Sequence, residues 1–395
     1  MFYHLFKILQ PIFPKDTYIT WDNLYEKDAE PIDGWTMFQY LQKSGYRSKY
    51  IIRKDSPFYK RLKDNNQVKN IVAIKNSNKN IFDTLFFTLL RTKVIIKPFL
   101  YNYKNGSWSD KKLKKNNYIT DVYVNHGVTY LKKCAYNMYH SDLSNIMVIS
   151  NDFEKEIYHE ANWPYQRMIK GGMCRWDTLK KEKVKEKILL IFFTWRGSLD
   201  SQFIKQRQQK EENFHPAKST YISGIQTLIR DKKLHEICRK YNVKIEVGIH
   251  HAAIDNAKIP LFAFYAPDVK FIDMQEVSKH IRQASIVMTD RSSMIFDPMF
   301  LDTPIIFYTP DKNNPVLNEW EHDEEKYAIK LEQETMYNYC DNIEDIISLV
   351  EKYAKKNFEL EYSYKQINQK FFYYKKDICK NIIDNIGKME RNNEK

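Results

Sequence analysis

Four short segments carry side chains able to do chemistry, and each follows an apolar, strand-like run. The richest is SIVMTDRSSMIFDPMFLDTPIIFY, residues 285–308. Its apolar run ends at Thr289, the turn Asp290-Arg291-Ser292-Ser293 follows, and an apolar-periodic helix opens near Met294. Free N–H groups at a helix start, two hydroxyls and one guanidinium suit a phosphate or diphosphate. An ordinary Ser N-cap explains the serines equally well. In VYVNHGVTYLKK, residues 122–133, the run delivers Asn125-His126-Gly127 to its end, with Thr129, Lys132 and Lys133 close behind. A neutral imidazole takes a proton from a hydroxyl near pH 7, and Gly127 leaves room for a substrate. A lone His is more often structural; its place after a strand is what raises His126. In ILLIFFTWRGS, residues 188–198, Arg196 offers a planar fork for phosphate oxygens. VKIEVGIHHA, residues 243–252, ends on His250 and His251. Adjacent residues on an extended chain point oppositely and no third ligand is evident, so one of the pair faces the ligand and zinc is not expected. A fifth, weaker segment, GGMCRWDTL, holds Arg175 and Asp177.

The elements that must position these residues alternate along the chain. Strands are expected at Thr17–Trp21, Lys49–Ile52, Ile71–Ile74, Lys93–Ile96, Val122–Val124, Met168–Lys170, Ile188–Thr194, Val243–Gly248, Val269–Ile272, Ser285–Thr289 and Pro304–Tyr308. Helical patterns fall at Trp35–Lys43, Tyr59–Lys63, Ile81–Leu90, Ile343–Tyr353 and Tyr362–Ile386. Alternation of this kind implies α/β architecture with parallel sheets, and runs such as ILLIFF suit strands covered on both faces. Two Rossmann-type domains, 1–170 and 171–340, followed by C-terminal helices over 341–395, fit the length of 395 residues. The boundary is set near the charge-rich run KKEKVKEK. Because doubly wound sheets bind ligands beyond the carboxyl ends of their strands, the polar tips define a phosphate-holding cleft between two domains.

Composition narrows the function. With 43% hydrophobic and 15% aromatic residues the chain has ample core material, so a disordered chain is excluded. Only 10 residues are Gly, and no GxGxxG, GxxxxGKS/T or GxSxG occurs. HExxH and DxD are missing too, which argues against a cation held by paired Asp. The five cysteines are dispersed without a CxxC, as suits a reducing cytoplasm. No apolar run approaches the ~20 residues of a membrane span. The N-terminal MFYHLFKILQPIF lacks the marks of a signal peptide, and Phe2, Leu5, Phe6 and Leu9 share a helical face suited to the protein body or to a membrane surface. A net charge of +13 favours anionic partners.

The order of these motifs resembles the CDP-glycerol:polyglycerophosphate glycerophosphotransferase family, the teichoic-acid primases and polymerases with related capsule polymerases. The matching residues are His126-Gly127-Val128-Thr129 with Lys132, Arg175 with Asp177, Thr194-Trp195-Arg196, and Thr289-Asp290 with Ser292, Ser293, Phe296 and Asp297. They span roughly residues 120–310. Arg291 stands where the family usually has Tyr, Cys174 where it often has Pro, and the family's R-x-H-P is here Gly248-Ile249-His250-His251, or Glu246-Val247-Gly248-Ile249-His250 if the first His is the match. The resemblance implies a GT-B-like fold, with two Rossmann-type domains facing each other across a cleft, and transfer of a polyol phosphate from a CDP-activated donor. It also implies no cofactor and no catalytic metal, a donor on the C-terminal domain, and an anionic polysaccharide or lipid-linked acceptor reached from the inner face of the cytoplasmic membrane.

On that basis His126 is the expected base. His250 or His251, Arg196, Thr289, Asp290, Ser292 and Ser293 serve the donor phosphates, and Gly127, Thr129, Lys132, Arg175 and Asp177 the acceptor or the support of the site. A GT-B glycosyltransferase of capsule or lipopolysaccharide synthesis would use the same phosphate site with a nucleotide sugar. A basic nucleic-acid-binding protein is allowed by the charge, yet no RNP1, zinc-finger, KH or basic-zipper pattern appears and no nucleic-acid partner is expected.

Overall fold

Runs such as Ile188–Phe193 have no polar face, so each must be covered from both sides. The computed structural model does this with two parallel sheets. It describes residues 2–22, 32–75, 86–98, 119–124, 127–128, 146–160, 163–194, 205, 215, 218–250, 258–290, 292–310, 339–340 and 342–393.

The first sheet contains β1 (Thr17–Trp21), β2 (Ser48–Arg53), β3 (Ile71–Ile74), β4 (Thr92–Lys97), β5 (Thr120–Val124), β6 (Ile146–Ile149) and β7 (Met168–Lys170). Their spatial order is β3-β2-β1-β4-β5-β6-β7, parallel throughout. The second contains β8 (Lys187–Phe192), β9 (Val243–Gly248), β10 (Val269–Ile272), β11 (Ile286–Thr289), β12 (Ile305–Tyr308) and β13 (Tyr339–Cys340). It is ordered β10-β9-β8-β11-β12-β13, again parallel. Counted within each sheet, the order 3-2-1-4-5-6, with a seventh strand added at the edge of the first sheet, is that of a doubly wound dinucleotide-binding fold, and the strand order reverses at β1/β4 and at β8/β11. The expected α/β class and parallel sheets are present. Two strands went unforeseen: Ile146–Ile149, a four-residue apolar run, and the two-residue Tyr339–Cys340.

The strands β1, β6, β11 and β12 are buried along their length, whereas the edge strands β3 and β10 are only partly covered. On one face of the second sheet Leu189, Ile191 and Phe193 pack with Ile222 and Ile225 of the helix Thr220–Ile229 and with Val350 of the helix Ile343–Lys355. In the first sheet Ile19, Trp21, Ile51 and Ile95 form a core with Phe6 of the helix Phe2–Leu9. Phe6 therefore faces the protein body, while Leu5 and Ile8 remain 42% and 67% exposed.

The chain packs as two compact units. The first runs to Thr178 and resumes at Phe371, and the second extends from Leu179 to Lys370. The expected boundary after residue 170 thus falls eight residues later. The Gly171–Thr178 turn is tied to the first unit: Gly171 N donates to Ile149 O at 2.9 Å, and Arg175 is bonded to Asp33. The C-terminal helices do not form one segment. Ile343–Lys355 and Tyr362–Gln369 belong to the second unit, while Ile378–Asn393 returns to the first. The expected continuous helix from Tyr362 breaks where Phe371 stacks on Phe153 at 5.0 Å and Phe372 meets Trp176 edge-on at 4.9 Å. Asp377, at φ 54°, ends the connection. Asp177 then starts the last helix by accepting from Ile378 N at 2.7 Å and Cys379 N at 2.8 Å.

Candidate active site

In the second unit the switch point lies between β8 and β11, and the strand tips there are joined by one side chain. Asp290, fully buried, accepts from Thr194 N through Oδ1 at 2.8 Å. Tyr221, at the start of the helix Thr220–Ile229, donates its hydroxyl to Thr194 O at 2.6 Å and lies 3.4 Å from Asp290 Oδ2. Both backbone groups of Thr194 are thereby fixed. The helix that delivers Tyr221 is itself capped, Ser219 Oγ accepting from Ile222 N at 3.3 Å.

Register brings a third tip to the same place. Phe192 pairs with Gly248 across β8 and β9, so Thr194 and His250 each stand two residues beyond that pair. Thr194, Tyr221, Gly248 and His250 line one recess with Phe193 and Phe264. His250 is half-buried there. On the β11 side, Ser292 caps the short helical turn Ser293–Ile295, its Oγ accepting from Met294 N at 3.3 Å. Ser293 is half-buried, and the helix Phe296–Phe300 follows with Phe296 and Asp297 fully buried. Thr289 Oγ1 is buried without a hydrogen-bond partner.

These positions divide the residues expected to meet the donor. Thr194, Ser292, Ser293 and His250 gather at adjacent strand tips of one sheet. Asp290 has no exposed surface and turns Oδ1 toward Thr194, so its geometry is that of a group holding the β8 tip in place. A buried carboxylate beside a diphosphate would repel it, whereas here the charge is directed at a backbone N–H. His126, Thr129, Lys132, Arg196 and His251 lie outside the described residues. Among the described residues no cluster of His, Cys, Asp and Glu forms a metal site.

In the first unit the two residues of the CRWD turn are spent on the fold. Arg175, 6% exposed, donates through Nη1 to Asp33 Oδ2 at 2.7 Å and through its backbone N to Asp33 Oδ1 at 2.8 Å. Asp177 caps the last helix. Beside them, Asp22 at the β1 tip accepts from Gly34 N at 2.8 Å, Trp35 N at 2.9 Å and the Tyr50 hydroxyl at 2.9 Å. Burial raises its carboxyl to about 6, against the opposing bond from Gly34 and with a further rise from Asp33. A Cβ on Gly34 would sit 2.3 Å from Trp21 O, so the helix Asp33–Lys43 meets the strand as closely as backbone allows. Gly127 and Val128 are buried just past the tip of β5. At the β4 tip Lys97, 1% exposed, pairs with Asp121 at 2.7 Å.

Sequence reasoning missed Tyr221 and Asp22. No local signal marks Tyr221, which stands 27 residues from Thr194 in an ordinary helix start. Asp22 did have a signal: Thr20-Trp21-Asp22 ends β1 much as Thr194-Trp195-Arg196 follows β8.

Two parallel α/β units with the doubly wound strand order define a protein of the GT-B-like class. The chain belongs to the CDP-Glycerol:Poly(glycerophosphate) glycerophosphotransferase family, which it matches over residues 19–386. It is 26% identical over 366 residues to the minor teichoic acid biosynthesis protein GgaB of Bacillus subtilis strain 168, across 88% of this chain and 37% of that protein. It is 24% identical over 272 residues to a teichoic acid poly(glycerol phosphate) polymerase of Bacillus spizizenii W23, across 63% of this chain and 67% of that protein. The chain thus spans little more than a third of the length of GgaB. In fold it is similar to the wall teichoic acid polymerase TagF, in a variant soaked with CDPG, with a TM-score of 0.62 at 14% identity, covering 99% of this chain and 93% of the other.

Proposed function

We propose that this protein transfers a polyol phosphate, glycerol phosphate first among candidates, from a CDP-activated donor to a teichoic-acid-type or capsule acceptor, releasing CMP. The observation that supports it most is the junction of β8 and β11. There one buried carboxylate fixes the tip leading into Trp195-Arg196, and the serines of T-D-x-S-S follow directly on the neighbouring strand. Family membership supplies the donor class.

In this reading His126 takes the proton from an acceptor hydroxyl. That oxygen attacks the β-phosphorus, forming one P–O bond as the bond to the bridging oxygen breaks, and CMP leaves with that oxygen. Arg196, one of His250 and His251, and the Ser292 and Ser293 hydroxyls hold the diphosphate and offset the charge growing on the bridge. Preorganised donors of this kind are the main source of catalysis in phosphoryl transfer. Asp290 and Tyr221 act behind them, keeping the β8 tip still.

The proposal includes a seat on the inner face of the cytoplasmic membrane. Leu5, Ile8, Ile12 and Phe13 are exposed beside Lys7 and Lys15, and residues 1–15 contain no acid. Apolar side chains with flanking lysines suit an anionic leaflet. Among the described residues no helix is long and apolar enough to cross a membrane.

The test is nucleotide release by the purified protein with an anionic acceptor extract, offered CDP-glycerol, CDP-ribitol and a set of nucleotide sugars, with and without EDTA. CMP from a CDP-polyol, undiminished by EDTA, is the expected result. Nucleotide release from sugar donors alone would replace this reading with glycosyl transfer.

A further inference from the structure

A second polar recess lies in the first unit. It is a groove of about 530 Å³ along the edge strand β7, closed on its far side by the last helix, and its chemistry comes from Lys170, Lys388, Gln166, Asn385, Tyr374 and Met389. Among the described residues no acidic residue lines it. Lys170 and Lys388 are exposed and have no carboxylate partner among the described residues, Lys170 resting its ammonium 4.5 Å above the Tyr373 ring. The carboxylates nearby are already engaged: Asp384 with Lys380 at 2.6 Å, Glu390 with Lys93 at 2.8 Å, and Asp152 with the Tyr373 hydroxyl at 2.6 Å. An open edge strand would invite another strand, but the Lys170 carbonyl is taken by Asn385 Nδ2 at 2.9 Å.

We infer that this groove binds the acceptor chain, as a segment of anionic polyol phosphate. The inference rests on the phosphotransfer reading above and names the place of its second substrate. The lysine ammoniums match phosphate oxygens, the amide and phenol groups match polyol hydroxyls, and Met168, Ile169 and Met389 match the carbon backbone between them. Position agrees with chemistry. Val124, Val148 and Ile169 form one row across β5, β6 and β7, and Lys170 is one residue nearer the carboxyl edge. That edge is where β5 ends at Val124, two strand spacings away, about 10 Å. A chain lying in the groove thus passes close to the end of β5, two residues before the proposed base in the sequence.

The test is fluorescence anisotropy of a labelled glycerol phosphate oligomer with the full chain and with the double variant Lys170→Gln/Lys388→Gln, alongside initial rates. Both lysines are exposed, so a thermal melt of the variant should match the wild type. The variant is expected to bind the oligomer at least about tenfold more weakly and to show the same rise in acceptor KM, as two lost phosphate contacts require. Its KM for CDP-glycerol should stay unchanged. Oligomer affinity within about twofold of wild type would overturn the groove. So would a variant that loses binding only to phosphatidylglycerol vesicles, since the occupant would then be a lipid surface. Lysine-dependent binding without turnover of any CDP-polyol would uphold the groove and remove the catalytic reading. Turnover with unchanged acceptor KM would do the reverse.

Discussion

At the scale of single residues, the groups that meet substrate differ from the groups that hold them in place. His126 is assigned to the first kind. His126→Ala should keep the fold, seen as an unchanged melt, and lower turnover by at least ~10²-fold, the lower range for a lost general base. Near-normal turnover would remove it from that role. Tyr221 is of the second kind. Tyr221→Phe leaves the Thr194 carbonyl buried without its donor, which costs about 1–3 kcal/mol. Chemical denaturation should register that loss, and the KM for CDP-glycerol should rise because the β8 tip, two residues before Arg196 in the sequence, loosens. Asp22 gives a pH signature. Its carboxyl is raised to about 6 by burial, so protonation is easier in the folded chain than in the unfolded one. Its contribution to stability is therefore complete below about pH 4 and lost as pH rises through 6, amounting to about 3 kcal/mol. The difference in denaturation midpoint between wild type and Asp22→Asn should narrow or reverse across that window. A difference independent of pH would contradict the assignment.

At the scale of elements, most strands were readable, the central ones because burial on both faces makes them apolar runs and the partly covered ones from short apolar or alternating patterns. Ile71–Ile74, Met168–Lys170, Val243–Gly248 and Val269–Ile272 stand where the pattern placed them. Ile146–Ile149, apolar throughout, is a strand that the sequence pattern did not single out. The path of the C-terminus was beyond local reading. What returns the last helix to the first unit is Asp177, 201 residues before Ile378, and what holds the Asp177 turn is the Arg175–Asp33 pair. Such contacts leave no trace in composition or spacing. Arg175→Met would leave Asp33 buried without its counter-charge, at a cost of about 3–5 kcal/mol. Loss of folded protein under mild denaturant, with the second unit retaining its structure, is the expected outcome. A melt like that of wild type would show the pair to be dispensable.

At the scale of the whole molecule, fold and chemistry were readable to different depths. The alternation of strand and helix was enough for two parallel sheets, and motif position after a strand was enough to find Thr194, His250, Ser292 and Ser293 together. The support behind them, Asp290 and Tyr221, emerged only when the tips of β8 and β11 were seen side by side. The excess of 63 Lys and Arg over 50 Asp and Glu suits an anionic acceptor, and screening predicts an acceptor KM that climbs with salt. The central claim is that phosphorus itself is transferred. It is tested by a CDP-glycerol carrying radiophosphorus only at the β position, incubated with enzyme and acceptor and separated into polymer and nucleotide. Label in the polymer and unlabelled CMP are the expected result. Label retained wholly with the nucleotide would contradict it.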